Sequence, residues 1–319
     1  MFSQSHAGKL AMLIHRTLLL AVVLAPGALP ALAAGGDFSG PVDIGGGPKM
    51  YLECRGTGSP TVFVVPGGKA AADDWTEDSP VFADVAKFTR VCSYDRPGTP
   101  LADGSPSRSD PVPMPITAGD SVADLHALVA AAGIEAPFVI VGHSYGGLIV
   151  RLYAMTYPAD VDGMVLVDAL SEGLRAAETP EEWAHQKIIL DGDLTETLKI
   201  YPDIERADAD PSFDQLLAAP PLQPMSLVVL SADHPWGPLV PGFIADGSLP
   251  PDTPPDIGYV TDRAQKQAQA ELAAAVPGSK HIINTDSGHE IHKDQPQLVL
   301  DSIREVVEAV RAGKTSLEP

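Results

Sequence analysis

Three residue types in this chain are spaced so that they could do chemistry together: a serine, a histidine and a carboxylate. The serine is Ser144, in Gly142-His143-Ser144-Tyr145-Gly146-Gly147, directly behind the apolar run Phe138-Val139-Ile140-Val141. An apolar strand running into Gly-x-Ser-x-Gly with an amphipathic helix behind it predicts a nucleophile elbow, a turn so tight that its serine is held in a strained backbone conformation. Gly142 and Gly146 have a steric task there, because a side chain at either position would crowd the strand or helix that passes closest. The helix N-terminus behind the serine favours developing negative charge.

A serine hydroxyl is a weak nucleophile near neutral pH and needs a base, and the base needs a group that orients it. Of nine histidines, His289 stands out: in Asp286-Ser287-Gly288-His289 it follows the last predicted strand, where a loop can bring its ring over the elbow. His126 is expected mid-helix, and His143 is expected to face away from Ser144. His185 and His234 fall in or near an interruption of the pattern, and His281 and His292 are weaker candidates. The orienting acid is Asp168, at the end of the strand Met164 to Val167, with Asp233, just past the strand Met225 to Leu230, as the alternative. Chain order and strand-end placement favour Asp168. Two backbone N–H groups are required for a forming oxyanion. The expected donors are Tyr145, next after the serine, and Gly68, in Pro66-Gly67-Gly68 after the strand Thr61 to Val65.

The group Asp286, His289, Glu290, His292 and Asp294 invites a metal reading, but no His-Glu-x-x-His helix and no paired cysteines accompany it. No phosphate loop or dinucleotide fingerprint is found either. The chemistry expected of these residues needs no cofactor.

The elements that must position these residues alternate. Val42 to Ile44 and Met50 to Arg55 read as a hairpin around Gly45-Gly46-Gly47. The strands Thr61 to Val65, Arg90 to Tyr94, the elbow strand, Met164 to Val167, Met225 to Leu230 and Lys280 to Asn284 follow. Helices are predicted over Val81 to Lys87, Thr117 to Ala132, behind the elbow, over Thr261 to Val276 and over Pro296 to Arg311. Strands apolar on both faces, alternating with helices, predict a mostly parallel sheet covered on both sides, an α/β fold. The alternation breaks from about 169 to 224, where helical pieces at Glu181 to Leu190 and Leu194 to Ile200 lie among prolines. This stretch is read as a cap inserted above the strand ends. The proline-rich segments Pro97 to Pro115 and Pro235 to Pro255 are read as surface loops.

Residues 1–33 have the pattern of a signal peptide: Lys9 and Arg16 in front, an apolar core from Thr17 to Leu24, and Ala31-Leu32-Ala33 as a cleavage site. The apolar run is too short to span a bilayer, and Met12 is an alternative start. The chain from 34 to 319 is then one large domain of an exported protein, secreted or in the periplasm or cell envelope, with no stable membrane insertion. The formal charge of all 319 residues is −21, and it is about −23 without residues 1–33, which hold two basic and no acidic residues. Such a surface repels phosphate backbones and anionic lipid, which disfavours nucleic acid as a partner; the partner expected from the serine, histidine and carboxylate is a small-molecule substrate. Cys54 and Cys92 lie in two predicted strands of a chain expected in an oxidising compartment. A cross-strand disulfide and two buried thiols are both open.

These segments resemble the bacterial α/β-hydrolase superfamily. The likeness is greatest to exported members with a strand-Cys-x-Tyr-Asp-Arg-x-Gly segment (Val91 to Gly98), a Gly-His-Ser-x-Gly-Gly elbow (Gly142 to Gly147), a strand ending Leu-Val-Asp-Ala (Leu166 to Ala169) and a final Ser-Gly-His-x-Ile-His (Ser287 to His292). The resemblance implies an α/β-hydrolase fold with an eight-stranded sheet in which the Cys54 and Cys92 strands are neighbours, which favours the disulfide. Ordinary members carry the acid after the later strand, at a glycine-marked position that Asp233 misses by one residue; some haloalkane dehalogenases carry it where Asp168 stands. Two departures are visible: Pro66 replaces the histidine usual in the oxyanion loop, and Thr99-Pro100-Leu101 replaces the common Gly-x-Ser. Family members include esterases, lactonases, amidases, dehalogenases and epoxide hydrolases, and serine at 144 argues against the last two. The activity implied is cleavage of an ester or lactone through an acyl-enzyme. A perhydrolase or amidase on the same residues is the alternative, and a silent member that binds a small apolar ligand is the alternative from another class.

Overall fold

The computed structural model describes residues 35–317; the expected signal peptide lies outside them. In chain order the elements are β1 (Phe38–Asp43), β2 (Lys49–Arg55), β3 (Val62–Val65), α1 (Asp73–Thr76), α2 (Val81–Val85), β4 (Val91–Tyr94), α3 (Ala118–Ala131), β5 (Phe138–His143), α4 (Tyr145–Thr156) and β6 (Val161–Val167). Then come α5 (Gly173–Ala176), α6 (Pro180–Asp191), α7 (Thr197–Ile200), α8 (Ala209–Ala218), β7 (Ser226–Leu230), α9 (Val240–Ala245), α10 (Ile257–Ala274), β8 (Lys280–Ile282), α11 (Ile291–Asp294) and α12 (Pro296–Arg311).

The strands form one eight-stranded sheet in the order β1-β2-β4-β3-β5-β6-β7-β8. Only the β1–β2 and β2–β4 pairs are antiparallel; every pair from β4 to β8 is parallel. This is the mostly parallel α/β sheet that the alternation predicted, with the eight strands that the resemblance implied. The period-2 geometry of a strand explains why the central segments are apolar without a break. In β3 and β5, Phe63 and Ile140 face one core with Leu125 of α3 and Leu148 of α4. Their neighbours Val64 and Val139 face the other core with Val299 and Ile303 of α12. Each fully buried side chain of this kind contributes about 1.5–3 kcal/mol.

Helix boundaries follow local chemistry. α3 starts at a capping box in which Thr117 and Asp120 satisfy each other's backbone N–H groups, and α6 starts at the same device made by Thr179 and Glu182, with Pro180 in its first turn. Gly133 and Gly192, both at positive φ, follow their ends. The buried Val299, Leu300, Ile303, Val306 and Val307 of α12 recur at helical spacing along one face.

Four helices, α5 to α8, occupy the stretch between β6 and β7 where the alternation breaks. The sequence marked α6 and α7 but neither α5 nor α8, and it read 235–255 as a loop where α9 forms. Cys54 and Cys92 stand opposite each other across β2 and β4 and are joined in a disulfide, which resolves the open choice. Among the described residues, no helix is long and apolar enough to cross a membrane.

Candidate active site

Ser144 sits between β5 and α4 with φ 50° and ψ −123°, a conformation an L-residue adopts only when its surroundings enforce it. The enforcement is visible. The Ser144 N–H donates to Val167 O at 3.2 Å, and its own carbonyl accepts from Gly147 and Leu170 N–H at 2.9 Å each. A Cβ on Gly142 would come within 2.7 Å of Gly146 O, and one on Gly146 would collide with the carbonyl oxygens of Val65 and Pro66. The glycines therefore stand where β5, α4 and the end of β3 pass too close for side chains.

His289 lies on the loop between β8 and α11. Its Nδ1 is 2.6 Å from Oδ2 of Asp168, at the end of β6. Asp168 is buried, and its second oxygen accepts from Ala232 N–H at 3.2 Å and from Gln265 Nε2 at 3.5 Å. Burial works against a charged His289, but the hydrogen bond to Asp168 and its charge outweigh this and raise the histidine's pKa above its ordinary value. Asp233 is exposed and stands elsewhere. Its carboxylate accepts from the N–H groups of Ser287 at 3.0 Å and Asp286 at 3.2 Å, so it braces the loop that carries His289. Asp294 braces the same loop through Ser287 Oγ at 3.0 Å and Gly288 N–H at 3.2 Å.

Behind His289 lie two residues that sequence reasoning set aside. His143 does turn from the cavity, but its Nε2 is 3.0 Å from the carbonyl oxygen of His289, so that nitrogen carries the proton and donates. Burial, together with the neighbouring His292 and His289, holds the pKa of His143 well below the usual histidine value. His292 is stacked on Trp75 with centroids 4.3 Å apart, and its Nε2 is 3.0 Å from Asp74. The titratable group that the fold gathers is thus Asp74, His143, Glu290 and His292, whose ligand atoms lie within 4.8 Å of one another. It differs from the cluster the sequence suggested, which runs from Asp286 to Asp294. The Lys293 ammonium pairs with Asp74 and lies 3.8 Å from Glu290, so a cation already serves these carboxylates. The remaining candidate, His281, bonds Ser231 at 2.8 Å on β8.

Gly68, Ser144, Tyr145, Asp168 and His289 all line one cavity of about 740 Å³. Gly68 faces the first residue of α4: a Cβ built on it would lie 3.4 Å from Tyr145 Cβ. The far wall comes from the insertion between β6 and β7, with Leu174, Ile189, Leu190, Leu194 and Leu198, and Trp236 closes the rim near His289. Trp183 only packs within the insertion, donating to Asp210 at 2.8 Å.

A family profile described as "Alpha/beta hydrolase family" matches residues 62–302. The chain is 25% identical over 256 residues to the Bacillus subtilis protein YqjL, covering 79% of this chain and 85% of that one. It is 27% identical over 154 residues to a Gibberella zeae protein named as an AB hydrolase superfamily protein, covering 47% of this chain and 43% of that one. Among solved structures, carboxylesterase CesB from Bacillus subtilis superposes with a TM-score of 0.54 at 14% identity, over 86% of this chain and 93% of that one. The haloalkane dehalogenase DatA from Agrobacterium tumefaciens does so with 0.58 at 11% identity, over 88% and 99%. Likeness at such identity speaks to the fold alone.

Proposed function

Taking as premise that this chain belongs to the alpha/beta hydrolase family, we propose that it is a serine hydrolase that cleaves a carboxylic ester or lactone through an acyl-enzyme. The observation that carries the reading is the 2.6 Å contact of His289 Nδ1 with Asp168, made in the same cavity that exposes Ser144 on its strained turn. With Nδ1–H held by Asp168, Nε2 is left unprotonated and able to take a proton.

In this mechanism the Ser144 hydroxyl attacks the carbonyl carbon while its proton passes to Nε2 of His289. The resulting oxyanion is held by the backbone N–H groups of Gly68 and Tyr145, and negative charge beside Tyr145 also meets the N-terminus of α4. The tetrahedral adduct collapses, the C–O bond breaks, and the imidazolium returns its proton to the leaving alcohol. Water then attacks the acyl-enzyme with His289 again as base, which frees the acid and restores Ser144. Asp168 stabilises the imidazolium formed at both stages. The insertion acts as the cap, and its leucines and Ile189 suit an apolar acyl chain.

The test is a fluorophosphonate probe on the purified protein, with the adduct mapped by peptide mass spectrometry. Labelling of Ser144, abolished in His289→Ala, is the expected result. A well-folded sample that takes no label would overturn the acyl-enzyme reading and turn attention to ligand binding under the cap. Turnover of ester, amide and peroxide separates the esterase from an amidase or perhydrolase on the same residues.

A further inference from the structure

Glu205 belongs to the insertion, yet its side chain is not part of the apolar wall. It is buried against the loop that follows β3. Its Oε1 accepts from Arg96 Nε at 2.6 Å, and its Oε2 accepts from Arg96 Nη2 at 3.1 Å and from the backbone N–H of Lys69 at 2.6 Å. Arg96 and Glu205 side chains are each 1% exposed. A pair so far from water persists only when its remaining hydrogen-bonding capacity is also used. It is used here on one object: Arg96 Nη1 donates to Pro66 O at 2.8 Å, and Nη2 donates to Gly67 O. The guanidinium also lies 5.6 Å from the ring centroid of Tyr145.

These contacts account for the loop residue by residue. The carbonyls of Pro66 and Gly67 are held by Arg96, and the N–H of Lys69 is held by Glu205. Between them sits Gly68, which lies against Tyr145 at the cavity wall. Lys69 has φ 57°, a left-handed conformation unfavourable for a residue with a side chain, and the Glu205 bond at its N–H helps to hold it there. Glu205 is itself a fixed support. Its N–H donates to Gly98 O at 2.8 Å, and the next residues bridge to Ile116 through Ile116 N–H to Arg206 O at 2.9 Å and Asp208 N–H to Ile116 O at 2.8 Å. Gly98 permits this approach, since a Cβ there would collide with Asp203 O.

We propose that Glu205 is a positioning residue for the oxyanion loop, acting through the Arg96 guanidinium and the Lys69 backbone to aim the Gly68 N–H at the reacting carbonyl oxygen. The inference rests on the Ser144 acyl-enzyme reading. It means that the cap supplies part of the framework for transition-state binding as well as a wall for the acyl group. The aim of an N–H donor matters most when charge has developed on the oxygen, so its loss falls on kcat and leaves KM nearly unchanged.

The test uses two variants of the full chain, with 4-nitrophenyl butanoate as substrate and phenylboronic acid as a tetrahedral mimic. Glu205→Gln keeps one acceptor oxygen for partners that use two, and Glu205→Asp keeps the charge but is one methylene short of Lys69. The expected result for Glu205→Gln is a fall in kcat of about 10–100-fold with KM within about threefold, and for Glu205→Asp a smaller fall of the same kind. Phenylboronic acid should weaken by the factor lost in kcat/KM. If a folded variant keeps wild-type kcat, or loses KM alone, the proposal is overturned. It is also overturned if neither variant folds, since Glu205 would then serve the fold as a whole. Wild-type labelling at Ser144 is scored first: its failure sinks the acyl-enzyme reading, whereas labelling with an unaltered Glu205 variant sinks only this inference.

Discussion

At the scale of single residues, Asp168 and Asp233 illustrate how two carboxylates one strand apart take different work. Asp168 is buried against the ring of His289, while Asp233 is exposed and bonds backbone N–H groups at the foot of the same loop. Asp168→Asn puts an amide opposite Nδ1 and favours the tautomer whose Nε2 already carries a proton. The expected outcome is a loss of about 10³–10⁴ in kcat, measured on any turned-over ester. Asp233→Asn weakens a loop brace, and it should change kcat by less than about tenfold while lowering the thermal midpoint. The reverse ranking would hand the orienting role to Asp233. The pH profile follows from His289. In the proposed mechanism it must be neutral to act as base, and its pKa is raised above the ordinary value of about 6.5. Activity is therefore full at pH above that raised pKa and is lost as pH falls through it, so the acid limb of kcat/KM should lie above 6.5. His143, whose pKa is pushed well below that of an ordinary histidine, contributes no limb there. A limb at or below 6.5 would mean that Asp168 does not sustain the charge on His289.

At the scale of elements, the site depends on where strands end. β5 delivers Ser144, β6 delivers Asp168, the loop after β3 delivers Gly68, and the loop after β8 delivers His289, all at the C-terminal edge of the parallel strands. The antiparallel strands at one side of the sheet are fastened by the Cys54–Cys92 bond between β2 and β4, with a sequence separation of 38. Closing a loop of that length restricts the unfolded chain by about 3–4 kcal/mol. Cys54→Ser/Cys92→Ser should lose up to that amount in denaturant unfolding, and kcat should barely change because neither cysteine lines the cavity. Elements with a strong hydrophobic signal were readable from sequence: β5, a continuous apolar run buried on both faces, and α12, whose apolar positions keep to one face. α8 was not, because Pro211 near its start reads as a break within a proline-bearing stretch. It is a helix through tertiary contact, with Phe213 and Leu216 buried and Ser212 Oγ accepting from Ala118 N–H of α3 at 2.9 Å.

At the scale of the whole molecule, the charge of −21 and the disulfide agree with the proposal that the protein is exported and loses residues 1–33, because such bonds persist in oxidising compartments. Expression in a secreting host should give a mature chain beginning at Ala34, read by N-terminal sequencing or intact mass. A chain retained with its leader uncleaved would refute that proposal. The sequence alone determined the strand–turn–helix around Ser144, the alternation that makes a parallel sheet, and the place of His289 after the last strand. Each of these is written in neighbouring residues, through steric demand at glycines or through hydrophobic period. Tertiary structure decided which aspartate meets His289 across 121 positions, that His143 holds the His289 carbonyl across 146, and that Glu205 reaches Lys69 across 136. Those pairings depend on fractions of an ångström between segments remote in the chain, and only the packed sheet with its insertion in place sets such distances.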